Sequence, residues 1–330
     1  MLFNPTIIHD KMNFEGCSFE NFFQFSCGHT VPVYRINTTN AFNQIIGFAK
    51  FVNSDYGNVY YRGISSLYDN VLPSLMRDRA KGMPFDLNNI CERISNDKRL
   101  NDSLKLRNTI IHPKNQEQFR WNKHINRFNK YTIEALLQHY VGRTRFLDVV
   151  DNHWIALWMG LHRFSMHGKC GKYCSCIKRR LLIGDLLEQK ATNVNSSCSD
   201  IDIYIYVLLI AMPHAISVPQ YGITQTEDFV EVDLRKALPS IYLRPHAQHA
   251  LVVRRRDKQN INQTADYYDM AQQVVGILKI RIDVADEWLG NGELMSEKNI
   301  FPSPSVDQGY NTLLMRNDIF ANPFEIIKYF

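Results

Sequence analysis

Little in this sequence is extreme, and each thing it lacks removes a class of protein. Its longest apolar run, Ile203 to Met212, is about ten residues, against the ~20 that a membrane-spanning helix requires. The first residues, Met1-Leu2-Phe3-Asn4-Pro5, carry neither a positive flank followed by an apolar segment nor an Arg-rich transit pattern. The expectation is a cytoplasmic protein with no membrane partner. Cysteine is sparse and odd in number, seven in 330 residues, which fits reduced thiols better than a disulfide framework. Charge is close to balanced: 38 basic against 33 acidic residues leave a net charge of +5, short of the concentrated basic face of a dedicated nucleic-acid binder. A polyanionic partner is permitted but not demanded. No internal repeat and no low-complexity tract is present.

What remains is a globular composition, 45% hydrophobic, 12% aromatic and 22% charged, able to bury a core in one large domain or two ordinary ones. Residues 1–35, with Phe19, Phe22, Phe23 and Phe25 close together, read as an irregular N-terminal extension packed on the main body. Thr38-Thr39-Asn40 ahead of Ala41-Phe42, Ile45-Ile46 and Phe48-Ala49 predicts a capped amphipathic helix. Val59-Tyr60-Tyr61-Arg62 is β-prone and stops at Gly63, which places Arg62 at a strand end. Helical spacing over about 86–135 predicts a helical insert, Asn152 to Phe164 a buried helix, and about 163–200 a basic, Cys-containing loop. Strands are predicted at Ile203–Met212, Phe229–Val232, Ala250–Val253 and Gly276–Ile282, and short helices around Asp283–Leu289 and Val306–Phe320. The sum is an α+β fold, one mixed domain over residues 36–330, helix-rich first and strand-rich second.

Chemistry concentrates in residues 137–149, Leu137-Gln138-His139-Tyr140-Val141-Gly142-Arg143-Thr144-Arg145-Phe146-Leu147-Asp148-Val149, and in Tyr61-Arg62-Gly63. Both set polar or ionisable groups beside a glycine and apolar anchors, which is how a site is built. Together with Leu72-Pro73-Ser74-Leu75, Arg244-Pro245 with Gln248, and Ile300-Phe301-Pro302, they resemble, in order and spacing, the FRG domain family of bacteria and phages, from about Thr38 to Phe320. This chain has Tyr61 where that family places the phenylalanine of F-R-G, and Val141-Gly142-Arg143-Thr144-Arg145 where it places G-x-P-T-R.

The resemblance implies a further likeness. An arginine-glycine strand end, a polar middle segment and a third strand with a polar residue are similar to the three-part site of ADP-ribosyltransferases, so the second half is expected to be ADP-ribosyltransferase-like. NAD would then be the substrate and a macromolecule, RNA or DNA among the candidates, the acceptor. A toxin or antiviral-defence role, with an antitoxin protein as a partner, goes with that likeness. It assigns Arg62, His139 and Gln248 to catalysis, and Arg62, Gly63, Tyr140, Thr144 and Arg145 to holding NAD. Arg62 would fork onto the pyrophosphate, or pair with an internal carboxylate such as Asp148. His139 would act as general base or finish its helix as a C-terminal cap. Arg145 and Asp148, three apart, read first as a structural pair.

Gln248 stands where such transferases place a glutamate, and an amide supplies no negative charge to a cationic transition state. Glu231 and Glu227 are nearby alternatives, and His246 and His249 read as structural or solvent-facing. His167, Cys170, Cys174 and Cys176 lie close together, but Cys174-x-Cys176 is tighter than a zinc knuckle and no second pair follows, so no metal is expected. The run Arg254-Arg255-Arg256 offers charge to phosphates. Asp148 and Asp151 are too few for a metal-dependent nuclease. The same motifs without turnover would make a non-catalytic nucleotide- or RNA-binding module.

Overall fold

The computed structural model describes residues 4–9, 12–77, 130–140, 144–169, 172–179, 204–238, 242–257, 265–302 and 306–307. Their strands are β1 (Cys17–Gln24), β2 (Thr30–Ile36), β3 (Gly57–Ile64), β4 (Leu147–Val150), β5 (His162–Lys169), β6 (Lys172–Arg179), β7 (Tyr204–Pro213), β8 (Ser217–Gln220), β9 (Ile223–Gln225), β10 (Phe229–Asp233), β11 (Ala250–Arg255) and β12 (Val274–Arg281). The helices are α1 (Thr39–Val52), α2 (Ser74–Arg77), α3 (Lys130–Tyr140), α4 (His153–Leu161), α5 (Leu234–Ala237), α6 (Leu243–Ala247), α7 (Ile282–Trp288) and α8 (Glu297–Ile300). The fold class is α+β, as the sequence indicates. Among the described residues one ten-stranded sheet runs in the order β1-β2-β12-β7-β3-β4-β11-β10-β9-β8, and β5 pairs with β6 as a separate hairpin.

β7 lies inside this sheet and explains the longest apolar run of the chain. Ile205, Val207, Leu209 and Ala211 point into one core cluster, while Leu208, Ile210 and Met212 point into another on the opposite face. A strand covered on both sides has no polar face, so it loses the alternation of a half-exposed one. β3, paired along its length with β7, divides the same way: Val59 and Tyr61 join the first cluster and Tyr60 the second. Helices α1 and α4 cover the first face. Thr38 caps α1, its hydroxyl accepting from the Ala41 amide at 3.2 Å, and the Asn152 side chain caps α4, accepting from Trp154 N at 3.0 Å.

The N-terminal aromatic stretch differs from expectation. It is no irregular extension: β1 and β2 form an antiparallel hairpin, and β2 joins the sheet parallel to β12. A register shift between Phe19 and Asn21 interrupts the two-residue alternation, which removes the strand signature from the sequence. The stretch read as a basic loop from about 163 begins with the β5–β6 hairpin, and its remainder lies outside the described residues. So do residues 86–129 of the expected helical insert and all but the start of the expected helix at 306–320.

Gly63 fixes how closely α4 approaches the sheet. A Cβ there would lie 1.7 Å from the carbonyl oxygen of Ala156. Helix backbone cannot yield as a side-chain tip can, so Gly63→Ala is expected to cost about 3 kcal/mol or more. Gly47, in α1 with open space around its Cβ position, is the control: Gly47→Ala should gain about 0.5–1 kcal/mol from helix propensity. Urea unfolding midpoints of the two variants check the opposite signs.

Candidate active site

Among the described residues β3 and β4 are in register at the single pair Tyr61↔Val150. Where the next rung would form, the Arg62 side chain intervenes, its Nη1 donating to the Asp148 carbonyl oxygen at 2.6 Å. The strands part around this guanidinium and a cavity of about 270 Å³ opens beside them. Arg62 and Gly63 reach its wall from β3, and Asp148 from β4. Gln138 and His139 come from the end of α3, Met159 and His162 from α4 and its exit, Arg244 and Gln248 from α6 and its cap, and Phe301 from the segment after α8.

α3 is an unusual carrier for polar groups, because every side chain from Tyr131 to Tyr140 is buried. Buried polar groups must be paired. Glu134 accepts from Arg145 Nε at 3.0 Å and Nη2 at 2.7 Å, and from Arg254 Nη1 at 2.8 Å. Gln138 accepts from the Thr144 hydroxyl at 2.6 Å and donates its amide to Asp148 Oδ2 at 2.5 Å. Ser74, from the Leu72-Pro73-Ser74-Leu75 motif, reaches the same Gln138 oxygen at 3.4 Å. Thr144 also accepts from the Phe146 amide at 3.1 Å, which holds the turn into β4.

These bonds sort the residues expected to form a site. Arg62, Gly63, His139 and Gln248, from three distant parts of the chain, line one cavity. Tyr140, Thr144 and Arg145 do not reach its wall. Tyr140 is fully buried, its hydroxyl bonded to both oxygens of Asp307 at 2.8 Å, and Asp307 also accepts from the amides of Leu243 and Arg244 at the start of α6. Thr144 is spent on Gln138, and Arg145 on Glu134 instead of Asp148. Glu231 is excluded by strand alternation: it accepts from the Tyr60 hydroxyl at 2.7 Å, and Tyr60 packs on the face away from the cavity. The arginine run forms no single basic face either. Arg254 is wholly buried on Glu134, Arg255 lies 4.6 Å over the Phe229 ring, and Arg256 bonds the Thr226 carbonyl.

Gln138, Asp148 and Arg244, motif residues to which the resemblance assigns no role, also line the cavity. Arg244 is 5% exposed and its guanidinium sits 4.6 Å over Phe301 and 5.8 Å over Tyr140. Aromatic faces stabilise a cation that burial would otherwise penalise. Arg62 meets a backbone carbonyl, and no salt bridge joins it to a carboxylate among the described residues. Burial first, then the charge of Arg77, pulls Arg62 down to about 10, so it remains a cation at neutral pH.

Burial likewise raises the Asp148 carboxyl above its ordinary range, against Arg62, Gln138 and Arg244, which favour the anion. Burial and then the charge of Arg244 hold His139 well below its usual range, so its ring is neutral at pH 7. A ring hydrogen bond to the Arg244 backbone favours the protonated form, the sign of an N–H donating to a carbonyl. His139 Nε2 is buried without a hydrogen-bond partner among the described residues, so Nδ1 makes that bond and Nε2 carries the lone pair. Gln248 donates Nε2 to the Ile300 carbonyl at 3.0 Å, which leaves its amide oxygen as the group it can offer a ligand. The cavity thus offers two cations, a carboxyl and an unprotonated ring nitrogen. Among the described residues no helix is long and apolar enough to cross a membrane.

Residues 57–167 match the family model of the FRG domain, a stretch that runs from the start of β3 into the β5–β6 hairpin. Arg244, Gln248 and Phe301 lie outside the match. No curated protein and no solved structure matches the chain.

The lowered histidines set a pH dependence. In the unfolded chain they titrate near 6.5, whereas in the native state His139 lies well below that and half-buried His153, lowered by partial burial and then by the charge of Lys50, at about 4. Between those limits the unfolded chain binds more protons, so stability falls as pH drops below about 6.5, by up to about 1.4 kcal/mol per pH unit for each group. Asp148 acts oppositely, since its raised carboxyl favours the native state below that raised value. Melting temperatures from pH 7 to 5 are expected to fall less steeply for His139→Gln than for the wild type.

Proposed function

We propose that this chain, an FRG domain protein by its residues 57–167, is an NAD-consuming ADP-ribosyltransferase acting on a macromolecule, with RNA and DNA as the first acceptors to test. One observation carries the reading: Arg62, His139 and Gln248, from three distant segments of the chain, line a single cavity with Arg244 and Asp148. Cleaving the nicotinamide glycosidic bond requires a hold on the pyrophosphate, negative charge near the cationic ribose, and a base for the acceptor's proton.

Arg62 and Arg244 supply the first, because guanidinium groups fork onto phosphate oxygens. Asp148 supplies the second. Neutral Gln248 cannot, and its amide oxygen accepts instead from a ribose hydroxyl. The arginines, together with a bound cationic pyridinium, favour the Asp148 anion that burial opposes. As the bond between the ribose anomeric carbon and the nicotinamide nitrogen breaks, its electron pair neutralises the pyridinium. The acceptor attacks the same carbon and passes its proton to His139 Nε2, which is unprotonated at neutral pH. Apolar Met159 and Phe301 limit water as a competing acceptor. Modification of cellular nucleic acid is harmful, and within this proposal the protein serves as a toxin or in antiviral defence, held in check by an antitoxin.

A non-catalytic nucleotide- or RNA-binding module is the second reading, favoured by one fact: no glutamate lines the cavity among the described residues. Nicotinamide release from NAD, measured with the purified chain and RNA, DNA or protein acceptors, separates the two. Under the proposal the wild type releases nicotinamide, Asp148→Asn lowers turnover by about 10²–10³, and Arg62→Ala weakens NAD binding by about 10–100-fold. NAD left intact with every acceptor, while still raising the melting temperature, replaces the enzyme by the binding module.

A further inference from the structure

The opening between β3 and β4 has a second side. Arg62 also lines a separate cavity of about 370 Å³ on the other face of the sheet. Its floor is apolar, with Phe25 and Leu208 buried there at 3% exposure each. Its mouth carries the exposed ring of Tyr68, the exposed Asp69, and Arg77 at the end of α2. Neither Arg62 nor Arg77 has a salt-bridge partner among the described residues. The two guanidinium groups repel each other; the Asp148 carboxyl offsets this only in part, because burial pushes it toward its neutral form, and an anion between them removes the remaining cost.

We infer that this second cavity is a binding site for a nucleoside monophosphate, with the phosphate on Arg62 and Arg77 and the base against Phe25, Leu208 and Tyr68. The size lies within the range of small-molecule pockets, about 300–1,000 Å³. An anion alone would leave the apolar floor unused. A fatty acid would use the floor and the arginines, but not an aromatic platform and a carboxylate at the mouth. A base uses both, stacking on Tyr68 and donating an exocyclic amine to Asp69. The cavity lies on the other face of the sheet from the one proposed for NAD and shares Arg62 with it, but the inference does not depend on that activity.

Isothermal titration of the full chain with AMP tests this, with UMP, inorganic pyrophosphate and octanoate as comparison probes. Leu67→Trp fills the second cavity, Arg77→Ala removes a cation found only there, and Met159→Trp fills the first cavity. The expected result is AMP binding that survives Met159→Trp, is lost in Leu67→Trp, and weakens about tenfold or more in Arg77→Ala. Thermal unfolding confirms that each variant is folded, and Arg77→Ala, an exposed position, keeps the test decisive if Leu67→Trp is not. AMP binding lost in Met159→Trp but kept in the other two places the nucleotide in the first cavity and overturns the inference. So does octanoate or pyrophosphate binding in place of AMP, or no AMP binding at millimolar concentration. UMP binding as tightly as AMP supports the site but overturns the Asp69 contact, since uracil has no exocyclic amine to donate. Each of these results is independent of whether nicotinamide is released.

Discussion

The Glu134 carboxylate holds the candidate site together. It accepts from Arg145, at the loop into β4, and from the fully buried Arg254 of β11, so one side chain of α3 is bound to that loop and to a separate strand. Removing one partner of such a pair leaves an uncompensated buried charge, a penalty of about 3–5 kcal/mol. Arg254 is further neutralised by Asp257 and lies 5.5 Å over both Tyr131 and Phe146. One helical turn beyond Glu134, Gln138 and His139 emerge at the cavity. Their positions are consequences of this charge cluster, since α3 has no solvent-facing side among its described side chains to orient it.

The second determinant is the arginine that takes the place of strand pairing. A ladder continued past Tyr61↔Val150 would seal the sheet and leave no cavity. Arg62 satisfies the Asp148 carbonyl while keeping β3 and β4 apart, and the closeness of α4 permitted by Gly63 gives the opening a back wall. The arginine and the glycine thus act differently: the first supplies charge, the second supplies space. Because the strands part there, Arg62 meets solvent-accessible space on both faces of the sheet, which no neighbour in a continuous ladder could do.

Much of this was legible in the sequence. The cap at Thr38, the strand ending near Gly63, the start of the helix after Asn152 and the apolar run of β7 all carry local signals and form where those signals lie, though that helix gives way to β5 at His162, short of the expected Phe164. The hairpin of β1 and β2 was hidden because its register shift breaks the alternation that identifies a strand. Partner choice was hidden for another reason. Arg145 is three residues from Asp148 and eleven from Glu134, yet Leu147 and Val149 must face one core cluster, which commits Asp148 to the opposite face with Val150. Sequence distance favours the wrong carboxylate, and strand alternation decides for the right one.

The same alternation answers the missing glutamate. Thr144, Arg145 and Asp148 belong to one short segment, but the first buttresses Gln138, the second neutralises Glu134, and only the third reaches the cavity. Gln138 joins them by donating to the carboxylate that Arg62 and Arg244 also influence. A glutamate at position 248 would place a second carboxyl in a cavity of about 270 Å³ where burial already pushes the first toward its neutral form. Two carboxyls in so small a space share their protons, and one of them would be held neutral. With Asp148 already on the wall, an amide at 248 adds hydrogen bonding without that repulsion, so glutamine there is compatible with the proposed reaction.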